Sequence, residues 1–196
     1  TEDGSTNRSI FSIGITGNNK KKLSKNKGTN SAVFSSSFQY YINTFSSTDR
    51  PFVYTLNDSS TGVVIKEIKN NDALKAKTGL YRVPKKEISV LQTKNGNFNM
   101  LMMKPNDFDP TKEYPLLMYQ YSGPGSQSVS NSWYNHRDFF HATLVQEGFI
   151  VAIVDGRGTG FKGRDFKKTT YKQLGKYEVE DQIEAALVLG KEPFID

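Results

Sequence analysis

Two nearly unbroken apolar runs constrain this chain more than anything else in it: Leu116-Leu117-Met118-Tyr119-Gln120-Tyr121 and Phe149-Ile150-Val151-Ala152-Ile153-Val154. A strand with one wet face alternates apolar and polar residues, so continuous runs belong to strands buried on both faces, as inside a parallel sheet. Between them Phe139, Phe140, Thr143, Leu144 and Glu147 fall at helical spacing, with apolar residues on one side. The segment predicts a βαβ unit. A further helix is predicted over Tyr177 to Leu189, with Val179, Ile183, Ala186 and Leu187 as its apolar stripe. Glu178, Glu180 and Asp181 stand near the positive end of its dipole. Both apolar runs end in glycine-rich turns, Ser122-Gly123-Pro124-Gly125 and Asp155-Gly156-Arg157-Gly158-Thr159-Gly160. The crevice beyond the carboxyl ends of parallel strands is where α/β folds bind ligands, so the paired turns suggest a site rim.

Upstream the pattern differs. Ser9 to Ile15, Ser31 to Ser36, Gln39 to Phe45, Pro51 to Leu56 and Val63 to Ile68 are short runs rich in β-branched and aromatic residues. Polar clusters such as Gly17-Asn18-Asn19, Ser46-Ser47-Thr48-Asp49 and Asn57-Asp58-Ser59 separate them, which suits an antiparallel meander. Propeller blades, sandwiches and barrels share this signature, so it names a class and not a fold. Lys69 to Lys86 is polar and reads as a connector. Beyond it Glu87 to Thr93 and Asn97 to Lys104 flank Asn95-Gly96, a dipeptide suited to the positive φ angles of a type I′ turn, and predict a β-hairpin. Pro193-Phe194-Ile195-Asp196 reads as a loop approaching a further strand.

The chain of 196 residues has no cysteine, which excludes disulfides, thiolate metal sites and cysteine nucleophiles. His136 and His141 are five apart with no fitting Glu between them, so no metal site is expected. A half-exposed structural role is the plainer reading for both. The net charge of +6 permits acidic partners without requiring them. The basic clusters Lys20-Lys21-Lys22 with Lys25 and Lys27, and Lys162 to Lys176, read as a solvated hairpin tip and a solvated loop, so nucleic acid is not an expected partner. No run is long enough to span a bilayer, and Thr1-Glu2-Asp3-Gly4 has no signal-peptide pattern and no initiating Met. The expectation is a mature or excised piece. Asn7-Arg8-Ser9 and Asn57-Asp58-Ser59 fit the glycosylation sequon, which matters only in a eukaryotic secretory route.

Gly156-Arg157-Gly158-Thr159-Gly160 lacks the glycine spacing of a dinucleotide fingerprint, and Lys162-Gly163 gives no helix start at the required place. Two readings of Arg157 stand: a structural cation neutralising Asp155, Glu178 or Glu180, which is preferred, and a direct substrate contact. Gly156 and Gly158 read as positions that accept positive φ. No Gly-x-Ser-x-Gly elbow occurs, and Ser122 lacks the strand-to-helix signature of one.

The order of three motifs carries a family likeness. Lys112 to Gln127, reading KEYPLLMYQYSGPGSQ, then Val154 to Gly160, reading VDGRGTG, then Leu174 to Gln182, reading LGKYEVEDQ, resembles the dipeptidyl peptidase IV branch of the prolyl oligopeptidase family. Ser9 to Asn70 is similar to the closing part of that family's β-propeller. The resemblance implies the C-terminal portion of a β-propeller followed by the N-terminal half of an α/β-hydrolase domain: 1–71 as terminal propeller strands, 72–84 as connector, 85–196 as the truncated hydrolase part. It implies a serine exopeptidase that releases N-terminal dipeptides with Pro or Ala in second position through an acyl-enzyme. No cofactor is called for. The serine, acid, histidine and amino-terminus-binding glutamates have no counterparts here, so the expectation is a fragment that ends before the nucleophile elbow and is inactive without the missing C-terminal part. One functional residue carries over, Tyr121, whose hydroxyl the resemblance places in the oxyanion hole. The residues alone leave open a buried tyrosine packing the strand end. Tyr119 receives no role, since vertebrate relatives differ there.

Alternatives are a non-catalytic relative serving as a binding protein, a tripeptide-releasing prolyl peptidase, and an autonomous basic binding module, which a truncated sheet with an unpaired apolar edge disfavours. The absence of cysteine, where vertebrate relatives are rich in disulfides, suggests a bacterial member. By resemblance it would be exported to the periplasm or cell surface and form a homodimer when intact.

Overall fold

The computed structural model describes residues 2–196 and divides into two units: residues 2–81 together with Asn131–Tyr134, and Arg82–Ser130 together with Asn135–Asp196.

The first unit is built on a four-stranded antiparallel meander, β3 (Thr29–Phe34), β4 (Tyr40–Ser47), β5 (Arg50–Asp58) and β6 (Val64–Lys69), after a short pair, β1 (Phe11–Ser12) and β2 (Lys21–Lys22). The strand predicted over Ser9 to Ile15 contracts to β1, because the chain turns at Gly14, whose N–H donates to the Asn18 carbonyl at 2.8 Å. Of the lysines read as a hairpin tip, Lys21 and Lys22 form β2, Lys22 pairing with Asp3, and Lys20 just before it pairs with Glu2. Its core is small: Ile10, Leu23 and Tyr41, with Ala32 against them. Val33, Ile42 and all of β6 remain exposed.

Two features of this unit escape the sequence pattern. The stretch read as connector contains a helix, α1 (Asp72–Leu80), which buries none of its residues; at its start Asp72 lies 2.7 Å from Arg50 and the Asn71 amide donates to the Phe52 carbonyl at 2.7 Å. A four-residue stretch from far along the chain also belongs here. The Asn131 N–H donates to the Thr6 carbonyl at 2.8 Å, its side-chain amide to Asn7 Oδ1 at 2.9 Å, and its side-chain oxygen accepts from the Thr48 N–H at 3.0 Å. Trp133 and Tyr134 beside it are buried. Both sequon asparagines are engaged, Asn7 as described and Asn57, itself buried, through its amide to the Gly62 carbonyl at 3.2 Å.

In the second unit the sheet order is β7 (Glu87–Thr93), β8 (Gly96–Met103), β10 (Ile150–Asp155), β9 (Leu116–Tyr119); only β9 and β10 run parallel. β10 is buried at every residue, and β8 from Phe98 onward. The hairpin forms one residue earlier than Asn95-Gly96 predicts. Thr93 pairs with Gly96, leaving Lys94 and Asn95 as the loop, and neither has a positive φ. The Thr93 hydroxyl holds the turn, accepting the Asn95 N–H at 3.2 Å and donating to the Gly96 carbonyl at 2.8 Å. At the chain's last residues Ile195 makes a parallel bridge to Tyr114.

Helices cover both faces of this sheet. On one, Ala185 and Leu189 of α4 (Lys176–Leu189) join Phe98, Met100, Met102, Ile150, Ala152 and Val154. Between β10 and α4 the five-residue α3 (Arg164–Lys168) brings Phe166 edge-on to Phe98. On the other, α2 (His136–Gln146) sets His141 against Tyr119, ring centroids 5.0 Å apart. The faces these helices bury are not the predicted ones. α2 buries Asp138, His141, Ala142 and Val145 and leaves Phe139 and Phe140 exposed. α4 buries Asp181, Glu184, Ala185 and Leu189, and Val179, Ile183 and Leu187 face outward.

Polar fixation explains the first case. Asn135 caps α2 in a reciprocal box with Asp138, and Asp138 also receives the buried Lys86 ammonium at 2.8 Å. Removing either charge would strand the other, at a cost of about 3–5 kcal/mol. His141, expected to be half-exposed, is 4% exposed with an unpartnered Nδ1. Burial pushes its imidazole below the ordinary value; Asp138 opposes this, and Arg137 and Lys86 add to it. The unfolded chain therefore takes up a proton that the fold resists. The resulting stability is fully present above the ordinary imidazole value and is lost as pH falls through the lower folded one. Chemical denaturation between about pH 7 and about pH 5 should show the intact protein losing up to about 1.4 kcal/mol per pH unit through this group. His141→Leu should flatten that part of the profile.

Candidate functional site

The two parallel strands deliver their carboxyl ends side by side, and the turns that follow are bonded to each other. The Gly125 N–H donates to the Gly158 carbonyl at 2.8 Å, and the Gly160 N–H to the Ser126 carbonyl at 2.7 Å. Each turn is also fixed from within. Ser126 N–H reaches the Gly123 carbonyl at 3.0 Å, and the Thr159 hydroxyl donates to the Gly156 carbonyl at 2.8 Å.

Asp155, the last residue of β10, is buried and ties the first turn's continuation to the second. Its carboxylate accepts the Ser128 N–H at 3.0 Å and the Val129 N–H at 2.8 Å. Burial pushes its carboxyl above the usual range; the two N–H groups and the charge of Lys162 pull the other way. It is not the partner of Arg157. The Arg157 guanidinium takes Asp181 through Nε at 2.9 Å and Nη2 at 2.6 Å, reaches Glu180 at 3.3 Å, and lies 4.6 Å over the Tyr177 ring. Of the carboxylates expected to neutralise Arg157, only Glu180 reaches it; Asp181, not among them, is the principal partner. Asp181, wholly inaccessible to solvent, also accepts the Arg157 N–H at 2.7 Å.

The two glycines of the second turn are required for different reasons. Gly158 has φ +91°, and a Cβ there would stand 2.5 Å from Thr170 Cγ2. Gly156 has no positive φ, against expectation; a Cβ on it would stand 2.8 Å from Asp181 Cβ.

Tyr121 follows β9 and is 68% exposed, which does not match a buried ring packing a strand end. It flanks an open groove with Gln120, Pro124, Leu174, Glu178 and Val179. Its neighbour Ser122 is buried in a left-handed conformation, φ 50°, and its hydroxyl donates to Gln120 Oε1 at 2.9 Å. The Gln182 amide donates to that hydroxyl at 3.2 Å and to the Val154 carbonyl at 2.9 Å. Asp181 and Gln182 are the residues that sequence reasoning left without a role here. Their signal was two adjacent polar residues on a helix whose buried face could be set only by what those residues bond. Tyr119, given no role, contacts Arg137 through its hydroxyl and ring. His136 opens α2. Among the described residues no group of three or more His, Asp or Glu could hold a metal, and no helix is long and apolar enough to cross a membrane.

Residues 125–196 match the model of the prolyl oligopeptidase family, and residues 1–52 that of the dipeptidyl peptidase IV N-terminal region. The crystal structure of Porphyromonas gingivalis dipeptidyl peptidase 4 superposes over the whole chain with a TM-score of 0.92 and 41% identity, covering 27% of that protein. Dipeptidyl peptidase 4 of Trichophyton equinum is 34% identical over all of this chain and 26% of its own length; that of Arthroderma otae is 36% identical over 85% and 22%. The chain therefore spans about a quarter of the length of these relatives. It belongs to the prolyl oligopeptidase family. Within that family its place is the dipeptidyl peptidase IV branch.

The crowding at the second turn is testable. Gly158→Ala combines positive φ with a clash and should cost on the order of 1 kcal/mol or more, read as a lower melting temperature of the intact protein. Gly156→Ala should also destabilise. Thr170→Ser, which removes Cγ2, should recover part of the Gly158→Ala loss and none of the Gly156→Ala loss. Parental melting of both single variants would show the turn to be ordinary backbone.

Proposed function

We propose that the protein containing this chain is a serine exopeptidase that removes dipeptides from free N-termini, preferring Pro or Ala in second position, and that Tyr121 donates its hydroxyl to the oxyanion of the tetrahedral intermediate. The observation that carries this reading is the exposed phenol of Tyr121 at the carboxyl end of a parallel strand, on a turn bonded to the neighbouring strand's turn. That is the position from which hydrolase folds draw an oxyanion donor. The chemistry needs a donor aimed where negative charge develops, and a phenol held by rigid backbone supplies one without reorganisation. Asp155, Gly156, Arg157 and Gly158 form the structural rim that holds the second turn in place.

On this reading the sheet of β7, β8, β10 and β9 is the first half of an α/β-hydrolase sheet, and β3 to β6 belong to the closing part of a propeller. A four-stranded meander with exposed apolar residues, such as Val33 and Ile42, is what a blade needs in order to pack on neighbours. No nucleophile elbow occurs in these residues, so the nucleophile, base and acid of the acyl-enzyme route come from elsewhere in the protein. The 41% identity to the Porphyromonas gingivalis enzyme supports a bacterial member. Export to the periplasm or cell surface, and a homodimer, complete the proposal.

Tyr121→Phe in the intact protein should lower kcat on a Gly-Pro amide about a hundred- to a thousandfold, with KM and melting temperature little changed, because the hydroxyl binds the transition state better than the ground state. A near-parental kcat would place the oxyanion donor elsewhere. Hydrolysis by residues 1–196 alone should be undetectable. Turnover by that chain, free of full-length contaminant, would overturn the assignment, and an intact protein that cleaves no N-terminal dipeptide would instead favour a binding protein on the same scaffold.

A further inference from the structure

We propose that Gln182 is a positioning residue for Tyr121, acting through Ser122; this rests on the reading of Tyr121 as the oxyanion donor. Tyr121 stands outside β9, so nothing in the strand ladder fixes its backbone. Its direction is set by the next two residues. Ser122 holds a left-handed backbone that an L residue adopts unwillingly, φ 50°, and the Tyr121 ring lies so close over Gly123 that a Cβ there would come within 2.5 Å of it. An unfavourable conformation persists only where the surroundings over-determine it.

Backbone bonds hold the turn from Gly123 onward, and at Ser122 itself one hydroxyl and one amide complete the constraint. Ser122 Oγ spends its proton on Gln120 Oε1 at 2.9 Å and accepts from Gln182 Nε2 at 3.2 Å. The same amide nitrogen donates to the Val154 carbonyl at 2.9 Å, near the end of β10. Gln182 therefore uses both of its donors, one on the turn that carries Tyr121 and one on the strand beside it. Its helix is in turn anchored by the preceding residue, Asp181, whose carboxylate is locked by Arg157. A residue without donors at 182 would leave the Ser122 hydroxyl with Gln120 alone and allow the turn, with the phenol on it, to relax away from the position required in the transition state. A small misplacement of a donor falls on the chemical step more than on substrate binding.

The test is steady-state hydrolysis of a Gly-Pro amide by the intact protein carrying Gln182→Met, Ser122→Ala, Tyr121→Phe and the pairs with Tyr121→Phe. Gln182→Met keeps length and loses the donors; it should lower kcat about ten- to a hundredfold with KM changed far less. Ser122→Ala should do the same and serves if Gln182→Met fails to fold. Neither should lower kcat further once Tyr121 is Phe, since the hydroxyl they position is gone. A parental kcat in both Gln182→Met and Ser122→Ala, or the same loss with and without the Tyr121 hydroxyl, overturns the inference while leaving Tyr121 its role. A parental kcat in Tyr121→Phe itself overturns the oxyanion reading and this inference with it.

Discussion

The carboxylate of Asp181 is the constraint on which the second unit's candidate site depends. It has no exposure to water, so its charge must be met inside the protein, and it is met by the backbone N–H and forked guanidinium of a single residue, Arg157. That pairing fixes the rotation of α4 about its axis. With Asp181 turned toward the sheet, Glu184, Ala185 and Leu189 turn inward as well, and the more apolar stripe of Val179, Ile183 and Leu187 is left outside. It also explains Gly156, because the carboxylate's own Cβ occupies the space that a side chain there would need.

The same rotation brings Gln182 to the ends of both parallel strands. One helix thus holds two turns, that of Arg157 through a charge and that of Ser122 through an amide. Asp155 does related work from below, capping the N–H groups of Ser128 and Val129 and so fixing where the chain goes after Gly125. The energetic logic is that buried polar groups, fully satisfied, specify one arrangement where apolar packing alone would accept several. On the proposed reading, that rigidity is what lets an exposed phenol act as an electrostatic donor without paying reorganisation during the reaction.

The strands were the legible part. β10 is buried on both faces, and hydrophobic continuity announces that condition directly; the equally continuous run that forms β9 lies at the edge of this sheet and is only half-buried. β7 is observed over the predicted residues Glu87–Thr93. Where local chemistry competes with composition, legibility fails. Asn95-Gly96 is a strong hairpin signal, yet the hydroxyl of Thr93 closes the turn one residue earlier. α1 forms in a stretch read as connector and buries none of its residues, so no burial pattern marks it. Asn131–Tyr134 join the first unit through hydrogen bonds to Thr6, Asn7 and Thr48, contacts across more than eighty positions that no local pattern encodes.

The sequence by itself determined most of the strands, the parallel pairing of β9 with β10, the glycine turns that end them, and, through three ordered motifs, the family to which the chain belongs. These follow from residue type and order, which propensity, burial and motif spacing express locally. Tertiary structure decided which faces of α2 and α4 are buried, which carboxylate takes Arg157, and why Gly156 and Gly158 are needed for different reasons. The physical reason is that a buried charge or donor chooses its partner by distance in space. Asp181 and Arg157 are 24 positions apart and 2.6 Å apart at their closest atoms, and only the folded chain brings the second number into being.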